Sequence, residues 1–133
     1  DVTKVATTKV TDMSYLFCFL NGYEKYSIET SLFNENINSW NTSKVTNMVG
    51  MFSGCANFNN PLDKWDVTNV NFMDYMFSGC HRFNHSLNNW IVENVFSMQC
   101  MFNDCEMFNQ PLDNWDVSKV QYIWGMFINC IYF

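Results

Sequence analysis

The sequence has few charged residues and very few basic ones. Only 15% of its 133 residues are charged, and 13 acidic residues outnumber 7 basic ones, which gives a net charge of -6. The one arginine is Arg82, so no basic surface can form that would neutralise a row of phosphates. The composition therefore predicts that nucleic acid is not a partner.

Proline, glycine and long apolar runs are scarce as well. Two Pro and five Gly exclude a collagen-like or linker-like chain, and a hydrophobic content of 48% excludes a disordered one. The longest wholly apolar run, Tyr15 to Leu20, has six residues, whereas about 20 are needed to cross a bilayer. We expect a single folded domain over residues 1–133 without a transmembrane segment.

The sequence does contain a repeat with a period of 25 residues, which is the spacing between Trp40 and Trp65. The recurring types are mostly apolar, with one column of asparagine among them. The columns are Trp40, Trp65, Trp90 and Trp115; Val45, Val70, Val95 and Val120; Phe52, Phe77, Phe102 and Phe127; Cys55, Cys80, Cys105 and Cys130; Phe58, Phe83, Phe108 and Phe133; Leu62, Leu87 and Leu112; and Asn34, Asn59, Asn84 and Asn109.

Five copies of the repeat, here called rungs, can be drawn along the chain. They cover residues 5–39, 40–64, 65–89, 90–114 and 115–133, and the first contains a ten-residue insertion at residues 21–30. The fifth stops before its Leu and its next Trp, which predicts that the chain is a fragment of a longer protein. Because a unit with a single apolar face cannot bury that face alone, the rungs are expected to stack.

Two apolar spacings alternate within each rung. The apolar residues from Val45 to Cys55 recur at i, i+3, i+6, i+7 and i+10, which places them on one face of a short helix. The anchors of residues 58–67 are too widely spaced for a helix and predict a short strand. Stacked strands form a parallel sheet, and parallel crossovers are right-handed. The sequence therefore predicts an α/β repeat solenoid, a leucine-rich-repeat-like, right-handed stack of about five strand-plus-short-helix rungs with a parallel sheet on one face.

Written out, the repeat is Val-x-x-Met-x-x-Met-Phe-x-x-Cys-x-x-Phe-Asn-x-Pro-Leu-x-x-Trp-Asp-Val, as in residues 48–67 and 101–117. This motif resembles the repeat of the BspA-like surface proteins, which include tandem-repeat lipoproteins of mycoplasmas. Similar units occur in other bacteria, protists and large DNA viruses. The resemblance implies a leucine-rich-repeat-like solenoid with a surface or interaction role and no named ligand. The sequence departs from the pattern at Val5, which replaces the first Trp, and at Ile91, which replaces an Asp.

Three columns, of asparagine, cysteine and tryptophan, are predicted to be structural. The asparagines are expected to hydrogen-bond along the stack or to turn backbone, because buried polar groups must be paired. The cysteines share an apolar position and are expected to be free, buried thiols, since adjacent rungs sit too far apart for a disulfide. These structural columns are Asn34, Asn59, Asn84 and Asn109; Cys55, Cys80, Cys105 and Cys130; and Trp40, Trp65, Trp90 and Trp115.

No arrangement of residues predicts catalysis, a cofactor or a metal ion. Paired carboxylates such as Asp63 with Asp66 recur with the repeat, and recurring residues are normally scaffold. His81 and His85 lie beside Cys80, but no second cysteine pair stands near them to complete a zinc site. We therefore predict a protein that is not an enzyme and that holds no cofactor or metal.

A grid of polar positions on the predicted strands is the candidate binding surface. An extended sheet face is the surface that repeat proteins usually offer to partners. The candidate binding residues are Asn36, Asn38, Asn60, Asp63, Ser86, Asn88, Gln110 and Asp113. A plain solvated face is an equally good interpretation of the same residues.

These observations predict a non-enzymatic, surface-displayed interaction or adhesion module. It would bind a protein or glycan through the sheet face or the insertion, in a cell-surface or extracellular location. The alternative is a structural assembly element of a surface layer or large-virus particle, which joins other subunits through its open ends. Residues Ile131, Tyr132 and Phe133 would then form a sticky edge.

Overall fold

The computed structural model describes residues 1–18 and 32–133. The insertion predicted at residues 21–30 lies outside these described residues. Within them, each rung is a chain of tight turns, and adjacent rungs are joined in register along one axis.

Each rung is built from turns in which the N–H of residue i+3 donates to the carbonyl of residue i. These bonds measure 2.9–3.3 Å around the second rung, where the donors are Trp40, Val45, Met51, Ser53, Cys55 and Phe58. The equivalent turns recur one period later, from Trp65 to Phe83. The chain thus satisfies about half of its donors locally without completing a helix.

Alternate N–H groups between Met48 and Gly54 donate to the following rung. The N–H groups of Met48, Gly50, Phe52 and Gly54 reach the carbonyls of Phe72, Asp74, Met76 and Ser78 at 2.7–2.9 Å. The N–H of Val49 donates to the side chain of Asn47 at 3.0 Å. Every N–H from Met48 to Cys55 therefore has a partner, as buried backbone requires. The same pattern joins the third rung to the fourth and the fourth to the fifth.

The predicted α/β solenoid with a parallel sheet is wrong for the part of the chain that the structure describes. Its one helical segment there is the 3-10 turn Val2–Lys4, and no described helix is long and apolar enough to span a bilayer. Parallel pairing is confined to isolated bridges, which join Asp12, Asn47, Phe72, Ser97 and Tyr122 in succession. These bridges lie in the segment predicted as helix, whereas residues 58–67 form one turn flanked by irregular chain. The leucine-rich-repeat-like architecture and the right-handed path of the chain were inferred from that sheet, so neither prediction is supported.

Left-handed backbone conformations explain why the described parts of the rungs form no α-helix. Two positions in each of the four later rungs have positive φ values. This left-handed conformation costs an L-residue other than glycine about 1–2 kcal/mol. In the second rung both are glycine, Gly50 with φ 59° and Gly54 with φ 80°. In the fourth they are Cys100 and Asp104, so glycine marks the break in some rungs only.

Phenylalanine rings form a double column through the centre of the stack. Rings in the same rung lie 4.1–4.4 Å apart between centroids, and equivalent rings in adjacent rungs 5.5–6.1 Å apart. Methionine, valine and leucine pack around them, and nearly all these side chains in the inner rungs are fully buried. The two columns are Phe17, Phe52, Phe77, Phe102 and Phe127, and Phe33, Phe58, Phe83, Phe108 and Phe133.

Candidate interaction surface

Each side chain in the tryptophan column bonds to a backbone carbonyl that lies more than one repeat earlier in the sequence. The indole N–H of Trp90 donates to the carbonyl of Leu62 at 3.0 Å, and that of Trp115 to the carbonyl of Leu87 at 2.9 Å. Trp65 and Trp40 make the same bond to Ile37 and to Val2. Each indole thus buries its ring and pairs its N–H, as a buried tryptophan must.

The cysteine column makes a parallel set of contacts. Cys80 Sγ lies 3.2 Å from the carbonyl oxygen of Phe52, and Cys105 Sγ lies 2.9 Å from that of Phe77. All six cysteines are free thiols in the structure. Burial raises the pKa of the Cys55 thiol from 9.0 to about 12, and burial also raises the pKa values of Cys80 and Cys105.

We expect Cys80 to resist alkylation in the native chain, because the reactive thiolate is suppressed and the sulfur is fully buried. Cys130 holds the same repeat position at the last rung and is half-buried, so it should react faster. Mass spectrometry of peptides after timed alkylation measures both rates. Equal rates would contradict the buried-column geometry.

The same thiols give the stability a defined pH dependence. The Cys55 thiol has a raised folded pKa of about 12, against 9.0 for the ordinary group. Its contribution to stability is therefore complete below pH 9 and is lost as the pH rises from 9 toward 12.

The asparagine column carries side-chain bonds along the stack. The side-chain oxygen of Asn34 accepts from the backbone N–H of Asn59 at 2.8 Å, that of Asn59 from Asn84 at 3.0 Å, and that of Asn84 from Asn109 at 2.9 Å. Each amide thus pairs with backbone one rung further along, on the exposed side of the molecule.

Most of the candidate binding residues pair with one another or with the neighbouring rung. The Asn38 amide donates to Asp63 at 2.8 Å and its oxygen accepts from the N–H of Lys64 at 3.0 Å. Asn88 repeats this arrangement two rungs along, with Asp113 and with the N–H of Asn114. These side chains therefore hold adjacent rungs in register.

The other four candidates serve similar local purposes. The side chains of Asn60 and Gln110 donate to the Asn34 and Asn84 side chains, respectively. Asn36 and Ser86 accept from the backbone N–H groups of Asn38 and Asn88, respectively.

Replacing Asn38 by alanine is expected to lower the free energy of unfolding by about 1–3 kcal/mol, because it removes a buried amide and leaves the Lys64 N–H without its acceptor. The matched change is Asn88→Ala, at the same repeat position but only half-buried. Its expected loss is smaller, since water can replace the lost partner. Urea unfolding followed by tryptophan fluorescence measures both, and a larger loss for Asn88→Ala would contradict this assignment.

The repeated aspartates close turns. Asp66 and Asp116 accept from the backbone N–H groups of Thr68 and Ser118 at 3.0 and 2.9 Å. Hydrogen bonds from the Ser118 side chain and backbone lower the pKa of Asp116. A carboxylate held ionised in this way is suited to turn formation and poorly suited to donating a proton.

The two histidines beside Cys80 point to separate partners. His81 Nδ1 lies 3.2 Å from Glu106 Oε1, and His85 Nε2 lies 3.1 Å from the carbonyl oxygen of Asn59. Across residues 1–18 and 32–133, no three His, Cys, Asp or Glu side chains are grouped to hold a metal ion.

Sequence reasoning missed a row of exposed aromatic side chains, here called the aromatic strip (Phe72, Phe96 and Tyr122). Phe72 and Phe96 meet edge-on at 6.2 Å between centroids, and Phe96 and Tyr122 at 5.5 Å. Their exposed fractions are 42%, 38% and 48%. An aromatic pair of this kind contributes about 0.5–1.5 kcal/mol in addition to the free energy of burying its apolar area. The three rings therefore hold one another in place and present an ordered apolar surface.

A polar cluster lies beside the aromatic strip. Asp74 accepts from the Ser97 hydroxyl and, at 3.1 Å, from the backbone N–H of Gln99. The Gln99 side chain also donates to Asp74 at 3.2 Å.

The sequence does carry a sign of the aromatic strip. The positions equivalent to Phe72 and Phe96 hold polar residues in several other rungs and so cannot belong to the repeated core.

These features define a class of tandem-repeat protein, in which turn-built rungs are joined by backbone and side-chain hydrogen bonds. A family model described as "Mycoplasma protein of unknown function, DUF285" matches residues 1–96 and also residues 21–133. The chain belongs to this family of mycoplasma repeat proteins. No curated protein and no solved structure gives a significant match.

Proposed function

We propose that the chain is a non-enzymatic interaction module, displayed on a cell surface, that binds a protein or glycan partner through the aromatic strip. Exposed aromatic residues at positions outside the repeated core carry this proposal. Aromatic side chains are enriched at protein interfaces, where they supply large contact areas at low entropic cost.

Membership of a mycoplasma repeat family supports the proposed display on a cell surface. The shared motif also favours kinship with the BspA-like surface proteins, in which such repeats are exposed to the surroundings of the cell. The turn-built stack supports the surface-displayed role, because it holds exposed side chains on a rigid backbone whose N–H groups are paired from Met48 to Cys55.

Binding of the fluorescently labelled chain to intact animal cells tests the proposal. We expect saturable binding that is lost in the triple variant Phe72→Ala, Phe96→Ala, Tyr122→Ala. The control variant Ile91→Ala, Met107→Ala, Ile131→Ala removes three exposed apolar side chains at other repeat positions and should bind as the parent does.

Pretreatment of the cells separates the two partner classes. Trypsin removes surface proteins and periodate oxidises surface glycans, so the treatment that abolishes binding identifies the class. Equal binding by the two triple variants would rule out the aromatic strip as the binding surface.

A further inference from the structure

A single carboxylate is held beside the aromatic strip. Asp74 lies two residues after Phe72 in the chain. Its Oδ1 accepts from the hydroxyl of Ser97, the residue that follows Phe96. Parallel bridges also pair Ser97 with Phe72 and with Tyr122. The carboxylate is therefore fixed next to the exposed rings, and this surface combines a negative charge with aromatic side chains.

The Asp74 carboxylate is only partly used within the chain. The Ser97 hydroxyl, the Gln99 backbone N–H and the Gln99 side chain all donate to the same oxygen, Oδ1. Among the described residues, no lysine, arginine or histidine forms an ion pair with Asp74. Because Asp74 is half-buried and not fully enclosed, its Oδ2 is available to a partner.

This surface belongs to the side of the stack. Phe72, Asp74 and Phe96 lie in the third and fourth rungs, each of which is bonded to a rung on both sides. The Asp74 column holds Val49 in the second rung and Trp124 in the fifth, so the carboxylate is not part of the repeated scaffold. A residue that does not recur with the repeat is free to serve a role other than stacking.

The rings of the strip do not cover one another by stacking. Phe72 and Phe96 lie at 75° to each other, and Phe96 and Tyr122 lie at 64°. The face of an aromatic ring carries negative charge density and attracts cations. Ring faces next to a carboxylate, on a chain with a net charge of -6, favour a positively charged ligand.

We propose that the aromatic strip and Asp74 bind an arginine side chain on an exposed basic segment of a protein partner. A planar guanidinium stacks on an aromatic face and, in the same position, donates N–H groups to a carboxylate. A sugar hydroxyl offers no charge to either group. This inference rests on the proposed function, because it names the partner of the same strip, and it selects protein over glycan.

A fluorescein-labelled peptide in which arginine alternates with glycine tests this recognition directly. Fluorescence anisotropy should show saturable binding to the parent chain. The same peptide with citrulline in place of arginine keeps the shape of the side chain and loses its charge, so it should bind about tenfold more weakly. Equal binding of the two peptides would overturn the proposal, and so would a failure of the arginine peptide to bind.

The variant Asp74→Asn removes the charge and keeps an oxygen that accepts from Ser97 and Gln99. We expect it to raise the Kd of the arginine peptide about tenfold. The matched control is Asp66→Asn, which removes the same charge at a turn where Asn41 makes the equivalent bond one rung earlier. The control should bind as the parent does. Equal weakening in both variants would mean that net charge alone attracts the peptide, which would overturn the site.

The double variant Phe72→Leu, Phe96→Leu tests the part played by the rings. It keeps two apolar side chains and removes two aromatic faces, so the Kd of the arginine peptide should rise about threefold or more. Tryptophan fluorescence reports whether each variant has folded. Binding of the peptide by the folded double variant as tightly as by the parent would overturn the assignment of these rings.

The cell-binding assay separates this inference from the proposed function. Suppose that cell binding is lost in the triple alanine variant of the strip but kept in Asp74→Asn, or is abolished by periodate and not by trypsin. Either result would overturn the inference and leave the proposed function in place. Binding of the arginine peptide by a chain that binds no animal cell would do the reverse.

Discussion

Replacing Phe77 by alanine should lower the free energy of unfolding by about 3–5 kcal/mol, the usual cost of removing a buried phenylalanine side chain. The ring is fully buried and touches rings on three sides. It lies 5.5 Å from Phe52, 5.6 Å from Phe102 and 4.4 Å from Phe83 between centroids. The cavity is confined by paired backbone on both sides, so little collapse can relieve it.

The matched change is Phe133→Ala, at the end of the same double column, where the ring is 54% exposed. Its expected loss is smaller by more than half, because this ring is already more than half exposed to solvent in the structure. Urea unfolding followed by fluorescence gives both values. Similar losses at the two sites would mean that the inner rungs are not packed around a continuous column.

Replacing Trp90 by alanine is expected to cost a similar amount, about 3–5 kcal/mol. Two contributions add at this position. The indole is buried against the phenylalanine column, and its N–H donates to the otherwise buried carbonyl of Leu62 at 3.0 Å. Removing the indole therefore creates a cavity and leaves the Leu62 carbonyl without its hydrogen-bond donor.

The variant Trp90→Phe separates these contributions. It keeps an aromatic ring but loses the N–H, so we expect a loss of about 1–3 kcal/mol from the unpaired carbonyl together with the smaller ring. Thermal or urea unfolding of the three proteins measures the series. If Trp90→Phe were as stable as the parent, the indole bond to Leu62 would carry no weight in joining the rungs.

The core of this fold can be predicted from recurrence in the sequence. The columns that contain Val45, Phe52 and Cys55 coincide with positions that are fully buried in the inner rungs. The period of the repeat thus identifies which side chains face inward and which rungs meet. It does not specify the backbone that delivers them there.

The backbone could not be predicted because one apolar spacing suits two conformations. Intervals of three residues fit successive i to i+3 turns as well as a helix, and the structure uses the turns. Glycine indicates the left-handed breaks at Gly50 and Gly54, but Tyr75 and Cys100 occupy the first of these positions with φ values of 56° and 50°. No residue type announces a break at those two sites.

The candidate surface was only partly predictable for a related reason. Recurrence shows a polar grid but does not distinguish an exposed side chain from one that pairs across rungs, as Asn38 does with Asp63. The aromatic strip breaks the repeat at Phe72 and Phe96, and that irregularity was the available sign. Whether these rings pack inward or lie exposed depends on a backbone that the repeat alone does not define.

Scalar couplings across hydrogen bonds, measured by nuclear magnetic resonance, distinguish the turn-built stack from a stack of helices. In the turn-built stack, alternate N–H groups of a rung bond to the next rung, as Phe77 does to Met101 at 2.9 Å. The account predicts a coupling between the Phe77 amide nitrogen and the Met101 carbonyl carbon. A coupling from the same nitrogen to the carbonyl carbon of Met73, four residues earlier, would show a helix and contradict the turn-built stack.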